Sequence, residues 1–379
     1  MAGALFIGLM SGTSLDGVDV ALVDFSHVDS DTLHPCVLDT YFQAYPSALR
    51  RQILALQHPT DNELEVTALM GNMLAKLYAE AVNHLLKKAK FSPDKITAIG
   101  CHGQTIRHQP GVKDGIGFTL QIGNAALLSE LTGITVVSDF RSRDIAAGGQ
   151  GAPLVPAFHQ AVFASKQETR AIINIGGIAN ITYLSKDNNS ENYDVIGFDA
   201  GPGNMLLDAW IKHHMNLDFD ADGAWASTGQ VIAPLLCAML AEPFFALKPP
   251  KSTGRDLFND AWLNQKLLGT NYQPHDVART LVELSAKTIY DALLIGCGEL
   301  DSAYLCGGGA RNILLRNRLE AMLTHTKLQT TDTLGIGIDW VEAIAFAWLA
   351  RQCLLHKTSN LPQVTGARGQ RILGAIYQH

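Results

Sequence analysis

Residues 5–25 read LFIGLMSGTSLDGVDVALVDF. Two apolar runs, 5–10 and 18–25, flank the short polar loop Ser11-Gly12-Thr13-Ser14-Leu15-Asp16-Gly17, a pattern that predicts a hairpin. The pattern recurs at 170–184, RAIINIGGIANITYL, where Gly176-Gly177 joins the runs 170–175 and 178–184. Working outward from the first hairpin, a strand is expected at 37–45 and helices at 47–56 and 62–88. On the second helix Leu69, Met73 and Leu77 share a face with Met70 and Leu74 beside it. A strand at 96–101, a helix at 124–131 and a strand at 134–140 complete the first half. The second half adds a strand at 195–199, helices at 204–214 and 276–297, and a strand at 303–306 that runs into Gly307-Gly308-Gly309. A helix at 312–324, a strand at 327–331 and a helix at 341–355 follow. Each half is β-β-β-α-β-α-β, which predicts a layered α/β fold made of two similar domains flanking a central cleft.

The 379 residues are too many for one ordinary core. A net charge of −7, with no run of Lys or Arg beyond a pair, argues against nucleic acid as a partner. The six cysteines form no Cys-x-x-Cys and no zinc spacing, so buried free thiols in a reducing cytoplasm are expected. No apolar run approaches eighteen residues, and the start of the chain lacks a basic region before its first apolar run. Neither a membrane span nor a signal peptide is therefore expected.

Chemistry concentrates in the loops. The stretch Ser11 to Asp19 offers hydroxyls, backbone amides and two carboxylates, groups that suit phosphate oxygens and Mg²⁺. It carries no Gly-Lys-Ser/Thr and is not a Walker loop. Alone it reads equally as an ordinary turn, and so does Asn174-Ile175-Gly176-Gly177-Ile178-Ala179-Asn180. One such loop in each half is harder to dismiss. Gly307-Gly308-Gly309 follows a strand, and bare backbone there suits adenine and its ribose. Phe198-Asp199-Ala200-Gly201-Pro202-Gly203-Asn204 ends a strand before a helix. Because Gly203 or Asn204 stands nearer the capping position, Asp199 is left for chemistry. His102-Gly103-Gln104-Thr105 and the 139–153 segment with Arg141 and Asp144 suit a sugar bearing a carboxylate, although an internal salt-bridge network would use Arg141 and Asp144 equally well. Glu342 either caps its helix or enters the cleft. His213 and His214 lie late on a helix, where solvent or the helix dipole accounts for them.

These motifs together resemble the anhydro-N-acetylmuramic acid kinases essentially end to end. The resemblance is carried by Gly8 to Gly17, Cys101-His102-Gly103-Gln104-Thr105-Ile106-Arg107-His108, Ala146 to Pro153, Asn174 to Asn180, Gly197 to Asn204 and Ser252-Thr253-Gly254-Arg255. It implies an actin/hexokinase-like fold with ribonuclease H-like halves, placed at 1–138 plus 358–379 for the sugar-kinase-like half and 139–357 for the half with nucleotide motifs. It also implies a cytoplasmic homodimer that uses ATP and Mg²⁺ to open 1,6-anhydro-N-acetylmuramic acid with water and phosphorylate O6 in peptidoglycan recycling.

Asp199 matches the catalytic Asp of the family's Gly-Phe-Asp-x-Gly-Pro-Gly-Asn string. Nucleotide contacts are expected from Gly12, Thr13, Ser14, Leu15, Asp16, Gly17, Val18, Asp19, Gly176, Gly177 and Gly307 to Gly309. Substrate contacts are expected from His102, Gln104, Thr105, Asn124, Arg141, Asp144, Gly201, Asn204 and Glu342. The first loop lacks the leading Asp common in the superfamily, with Met10 near its place, so Mg²⁺ falls to Asp16 or Asp19. An ordinary hexosamine kinase and a nucleotide-gated sugar sensor stay open as alternatives.

Overall fold

The computed structural model describes residues 4–27, 33–59, 61–111, 115–186 and 194–379. They form two compact units: the chain up to Val162 together with Trp340–His379, and Phe163–Asp339. Segments 139–162 and 340–357, expected in the second half, thus belong with the first. The physical reason is helix Val341–Leu354, which packs on the first sheet at two glycines. A Cβ on Gly8 would stand 1.8 Å from the Ala343 carbonyl oxygen, and one on Gly100 would stand 2.0 Å from that of Phe346. Only glycine lets the helix backbone approach the sheet this closely.

The first unit holds β1 (Leu5–Ser11), β2 (Gly17–Asp24), β3 (Cys36–Ala44), β4 (Ala98–Gln109), β5 (Phe118–Ile122) and β6 (Val136–Ser138). The second holds β7 (Arg170–Ile175), β8 (Ile178–Leu184), β9 (Val195–Pro202), β10 (Ser302–Cys306) and β11 (Lys327–Thr330); β12 (Ala375–Tyr377) returns to the first sheet. The sheet orders are β12-β6-β4-β1-β2-β3, with β5 on β4, and β11-β10-β7-β8-β9. In each unit three strands run as an antiparallel meander, and the first of them pairs in parallel with the strand that follows the helices. The order β6-β4-β1-β2-β3 of the first sheet matches β11-β10-β7-β8-β9 of the second, so the duplication read from the two Gly-loop hairpins is present.

Three expectations change. Strand 96–101 is one of the longest in the protein: it continues through His102 to Gln109 and turns back as β5. Helix Glu63–Ala89 buries Met70, Leu74, Tyr78, Val82 and Leu85, while Leu69 and Met73 are 57% and 47% exposed. The small residues Ala75 and Ala79 lie on the buried side and let the helix settle there, which a count of large apolar residues misses. Of the cysteines, Cys101, Cys297, Cys306 and Cys353 are buried, but Cys36 and Cys237 are exposed. Cys36 opens the edge strand β3. Among the described residues no helix is long and apolar enough to cross a membrane.

Candidate active site

Asp199 is the fourth residue counting back from the end of β9. The register against β8 slips there: Asn180 faces Asp199 but Ala179 faces Gly201, leaving Ala200 as the extra residue of a bulge. A bulge re-aims the side chains beside it and is a frequent device near active sites. The Thr253 N–H donates to Asp199 Oδ2 at 2.9 Å, and the Asp199 N–H donates to the Lys251 carbonyl at 3.0 Å. Burial pushes the Asp199 carboxyl up to about 6, against the opposing pull of the Thr253 N–H and the Lys251 ammonium. That is a useful value for a base near neutral pH.

The Gly176-Gly177 turn adjoins the same end of this sheet. Gly203 and Met205 donate to the Gly177 carbonyl, and Asn204 donates to that of Gly176 at 2.8 Å, so the turn is held. The fold nevertheless does not require glycine at either position. Their φ angles are not left-handed, and an added Cβ would meet nothing closer than 3.6 Å at Gly176 and 3.7 Å at Gly177. Gly308 (3.9 Å) and Gly12 in the first unit (3.6 Å) are alike in this. Gly17, Gly201, Gly307 and Gly309 differ. A Cβ on Gly17 would strike the Gln43 carbonyl at 2.3 Å and one on Gly309 would strike Ile175 at 2.3 Å, while Gly201 and Gly307 have φ of +148° and +80°. Packing and backbone explain these four, whereas the other four leave open backbone that a ligand can approach.

In the first unit the turn joining β1 and β2 exposes Thr13, Ser14 and Asp16, and Ser14 donates to Asp16 Oδ1 at 2.7 Å. Leu15 and Val18 bury their side chains in the core, and Leu15 takes φ of 59°, so neither side chain is open to a ligand. Gln104 is fully buried and donates to the Gly12 carbonyl at 3.1 Å. Ser11 donates to the Gly103 carbonyl at 2.9 Å, which makes it the acceptor for Tyr78; Tyr78 in turn contacts Tyr45 at 3.0 Å. Burial pushes the Tyr45 phenol up to about 12 and that of Tyr78 well up too, so both remain protonated. This hydroxyl chain holds the loop from beneath.

His102 is buried, with Nδ1 3.3 Å from the Ser11 carbonyl and Nε2 accepting from Arg141. A β-bulge at this point, where Leu9 faces Cys101 but Ser11 faces Gln104, sets it beside the loop. Arg141 also donates to the Gly151 carbonyl at 2.8 Å, which leaves part of its five-donor fork for a ligand. Burial lowers the Arg141 guanidinium to about 10, and Glu342 and Asp144 work against that. Burial raises the Glu342 carboxyl; Arg141 opposes the rise and Asp16 adds to it, which relates the start of helix Val341–Leu354 to the loop.

Asp144 belongs to the scaffold. It is fully buried, and it accepts from Asn360, Thr365 and the Gly151 N–H. Its expected substrate contact is replaced by this tie between the loop after Arg141 and the C-terminal segment. Asn124 caps helix Ala125–Thr132 by accepting from Leu127 and also donates to Asn72, and Thr105 accepts from Gln121.

The family model for anhydro-N-acetylmuramic acid kinase matches residues 4–379. The chain belongs to the anhydro-N-acetylmuramic acid kinase family. A relative of that name from Nitrosospira multiformis is 51% identical over 377 residues, covering all of both chains. One from Thiobacillus denitrificans is 52% identical over 374 residues, covering 98% of this chain and 96% of that one. Among solved structures, the activator of the 2-hydroxyisocaproyl-CoA dehydratase from Clostridium difficile, with bound ADPNP, is 13% identical with a TM-score of 0.46. That likeness covers 90% of this chain and 92% of the other.

For a member of this kinase family, sequence reasoning reads 251–256 as a polar loop that could close over nucleotide or sugar, but it does not set Lys251 beside Asp199, and it missed Tyr45 and Tyr78 beneath the first loop. Those contacts join residues far apart in sequence, Tyr45 to Tyr78 across 33 positions and Tyr78 to Ser11 across 67. Among the described residues no group of three or more His, Cys, Asp or Glu side chains could hold a metal. Mg²⁺ commonly rests on one or two carboxylates, water and substrate phosphates, so the exposed carboxylate of Asp16 fits that way of binding.

Proposed function

We propose that the protein is an ATP-dependent kinase that hydrolyses the 1,6-anhydro bond of anhydro-N-acetylmuramic acid and phosphorylates O6, giving N-acetylmuramic acid 6-phosphate and ADP for peptidoglycan recycling. Family membership names the reaction, and the observation that carries the chemistry is the gripped, partly buried carboxylate of Asp199 with its pKa near 6.

The anhydro sugar has no free hydroxyl at C6. Asp199 takes a proton from water as its oxygen bonds to C1. The C1–O6 bond breaks, and O6 accepts the γ-phosphoryl group as ADP departs, so no covalent sugar intermediate is needed. Thr253 fixes the carboxylate through its N–H, leaving Asp199 Oδ1 for the water. In the second unit the open backbone at Gly176, Gly177 and Gly308 suits a nucleotide; in the first, the Gly12 backbone and the Thr13 and Ser14 hydroxyls suit phosphate oxygens. Asp16 or Asp19 would hold Mg²⁺ through water, and the cation would neutralise phosphate charge there. In the first unit Arg141 suits the lactyl carboxylate and Glu342 a sugar hydroxyl; in the second Asn204 suits a sugar hydroxyl, while Gly201 makes way for Phe245. His102 and Gln104 act indirectly, by holding Arg141 and the first loop. A cytoplasmic homodimer belongs to the same reading.

The test supplies ATP, Mg²⁺ and either the anhydro sugar or N-acetylmuramic acid with a free reducing end, in ¹⁸O-water. Turnover of the anhydro form with label at C1 and none in the phosphate is expected. Phosphorylation of the open sugar alone would point to an ordinary hexosamine kinase and overturn the reading.

A further inference from the structure

The segment that grips Asp199 also carries a buried cation. Lys251 is 9% exposed, its Nζ donates to the carbonyls of Phe244 at 3.4 Å and Phe245 at 3.3 Å, and it lies 4.7 Å from the centroid of the Phe244 ring. These contacts hold the ammonium without an acidic partner. The Lys251 carbonyl receives the Asp199 N–H, and two residues later the Thr253 N–H reaches Asp199 Oδ2. Backbone therefore ties the residue that carries the cation to the one that carries the carboxylate, while the ammonium itself rests on the Phe244 and Phe245 carbonyls and not in a direct ion pair with Asp199.

We propose that Lys251 is a positioning residue whose ammonium sets the pH at which Asp199 works as a base. This rests on Asp199 being that base. Partial burial drives a carboxyl toward its neutral form, and an opposite charge in a poorly hydrated region draws it back. Lys251 is the charged side chain that acts on Asp199 among the described residues, and Asp199 is the one that acts on Lys251. A lysine at this place is costly to bury, and the fold provides only carbonyls and a ring face to receive it.

The pH profile of kcat/KM for the anhydro sugar, with saturating ATP and Mg²⁺, tests the proposal in wild type, Lys251→Met and Lys251→Arg. Without the cation Asp199 holds its proton more tightly, so its base form is lost at higher pH. The acid limb of Lys251→Met is expected to move upward by about one pH unit, with most activity recovered on the alkaline side. Lys251→Arg is expected to keep the wild-type limb. An unmoved limb in Lys251→Met with a wild-type melting temperature overturns the proposal, and so does an equal loss at every pH in both variants. Should Lys251→Met not fold, Lys251→Gln carries the same comparison. Activity retained in Asp199→Asn would instead remove the base assignment itself, so the two failures are distinct.

Discussion

Arg141 donates to His102 Nε2 twice, from Nε at 3.1 Å and from a terminal nitrogen at 2.9 Å. The histidine is therefore an acceptor on that side, and its Nδ1–H points to the Ser11 carbonyl. Burial first, and the Arg141 charge second, hold His102 down at about 3. A neutral imidazole thus joins the turn between β1 and β2 to the guanidinium assigned to the substrate carboxylate.

His102 should not titrate between pH 5 and 8, and its imidazole nitrogen resonances should stay constant over that range. His102→Ala should lower kcat/KM by roughly 10-fold or more by releasing Arg141 and Ser11, without moving the acid limb. The same lowering has a consequence for stability. The unfolded imidazole takes up a proton below its usual pKa of about 6.5 while the folded one does not, so stability should fall as pH drops from there toward 3. Buried His159, also held at about 3, adds to the slope. Urea unfolding at pH 7, 6 and 5 measures it.

Asp199→Asn should abolish turnover and yet stabilise the protein. The folded carboxyl, raised from 3.8 to about 6, ionises at a cost. That cost is absent at low pH and complete above about pH 6. Asn keeps an acceptor for the Thr253 N–H while removing the charge. A gain of up to about 3 kcal/mol at pH 8, vanishing below pH 4, is expected from denaturation.

Gly176→Ala and Gly308→Ala separate ligand approach from folding. Both positions accommodate a Cβ. Stability should change by no more than about 0.5 kcal/mol, while the KM for ATP rises roughly 10-fold, as expected where a side chain blocks backbone from phosphate or ribose. Gly309→Ala should behave oppositely, because its Cβ would strike Ile175 and Asn204. It should lose about 2 kcal/mol or more of stability whatever the nucleotide does. An unchanged KM in the first two variants would remove these loops from the nucleotide site.

Gly100→Ala should be among the most damaging single-methyl changes in the chain. Its Cβ would overlap the Phe346 carbonyl, on a helix that is nearly all buried. Since backbone cannot rotate away as a side chain can, a loss of about 3 kcal/mol or more, or failure to accumulate folded protein, is expected. Comparing soluble yield and melting temperature with those of Gly12→Ala checks it.

The sequence alone determined the duplicated order of strands and helices, the two Gly-loop hairpins, and Asp199 on a strand, although that strand runs on to Pro202. Each of these is written locally, in apolar period and turn residues, which act over a few positions. Tertiary structure alone decided which glycines serve the fold and which leave room for a ligand, because that depends on what stands opposite a missing Cβ. It also decided that His102, Gln104 and Asp144 support the site from behind: their partners Arg141, Gly12 and Asn360 lie 39, 92 and 216 residues away. The placing of Lys251 beside Asp199 is of the same kind. A charge in a sequence does not say whether water will screen it, and burial is what turns that lysine into a field felt by one carboxylate.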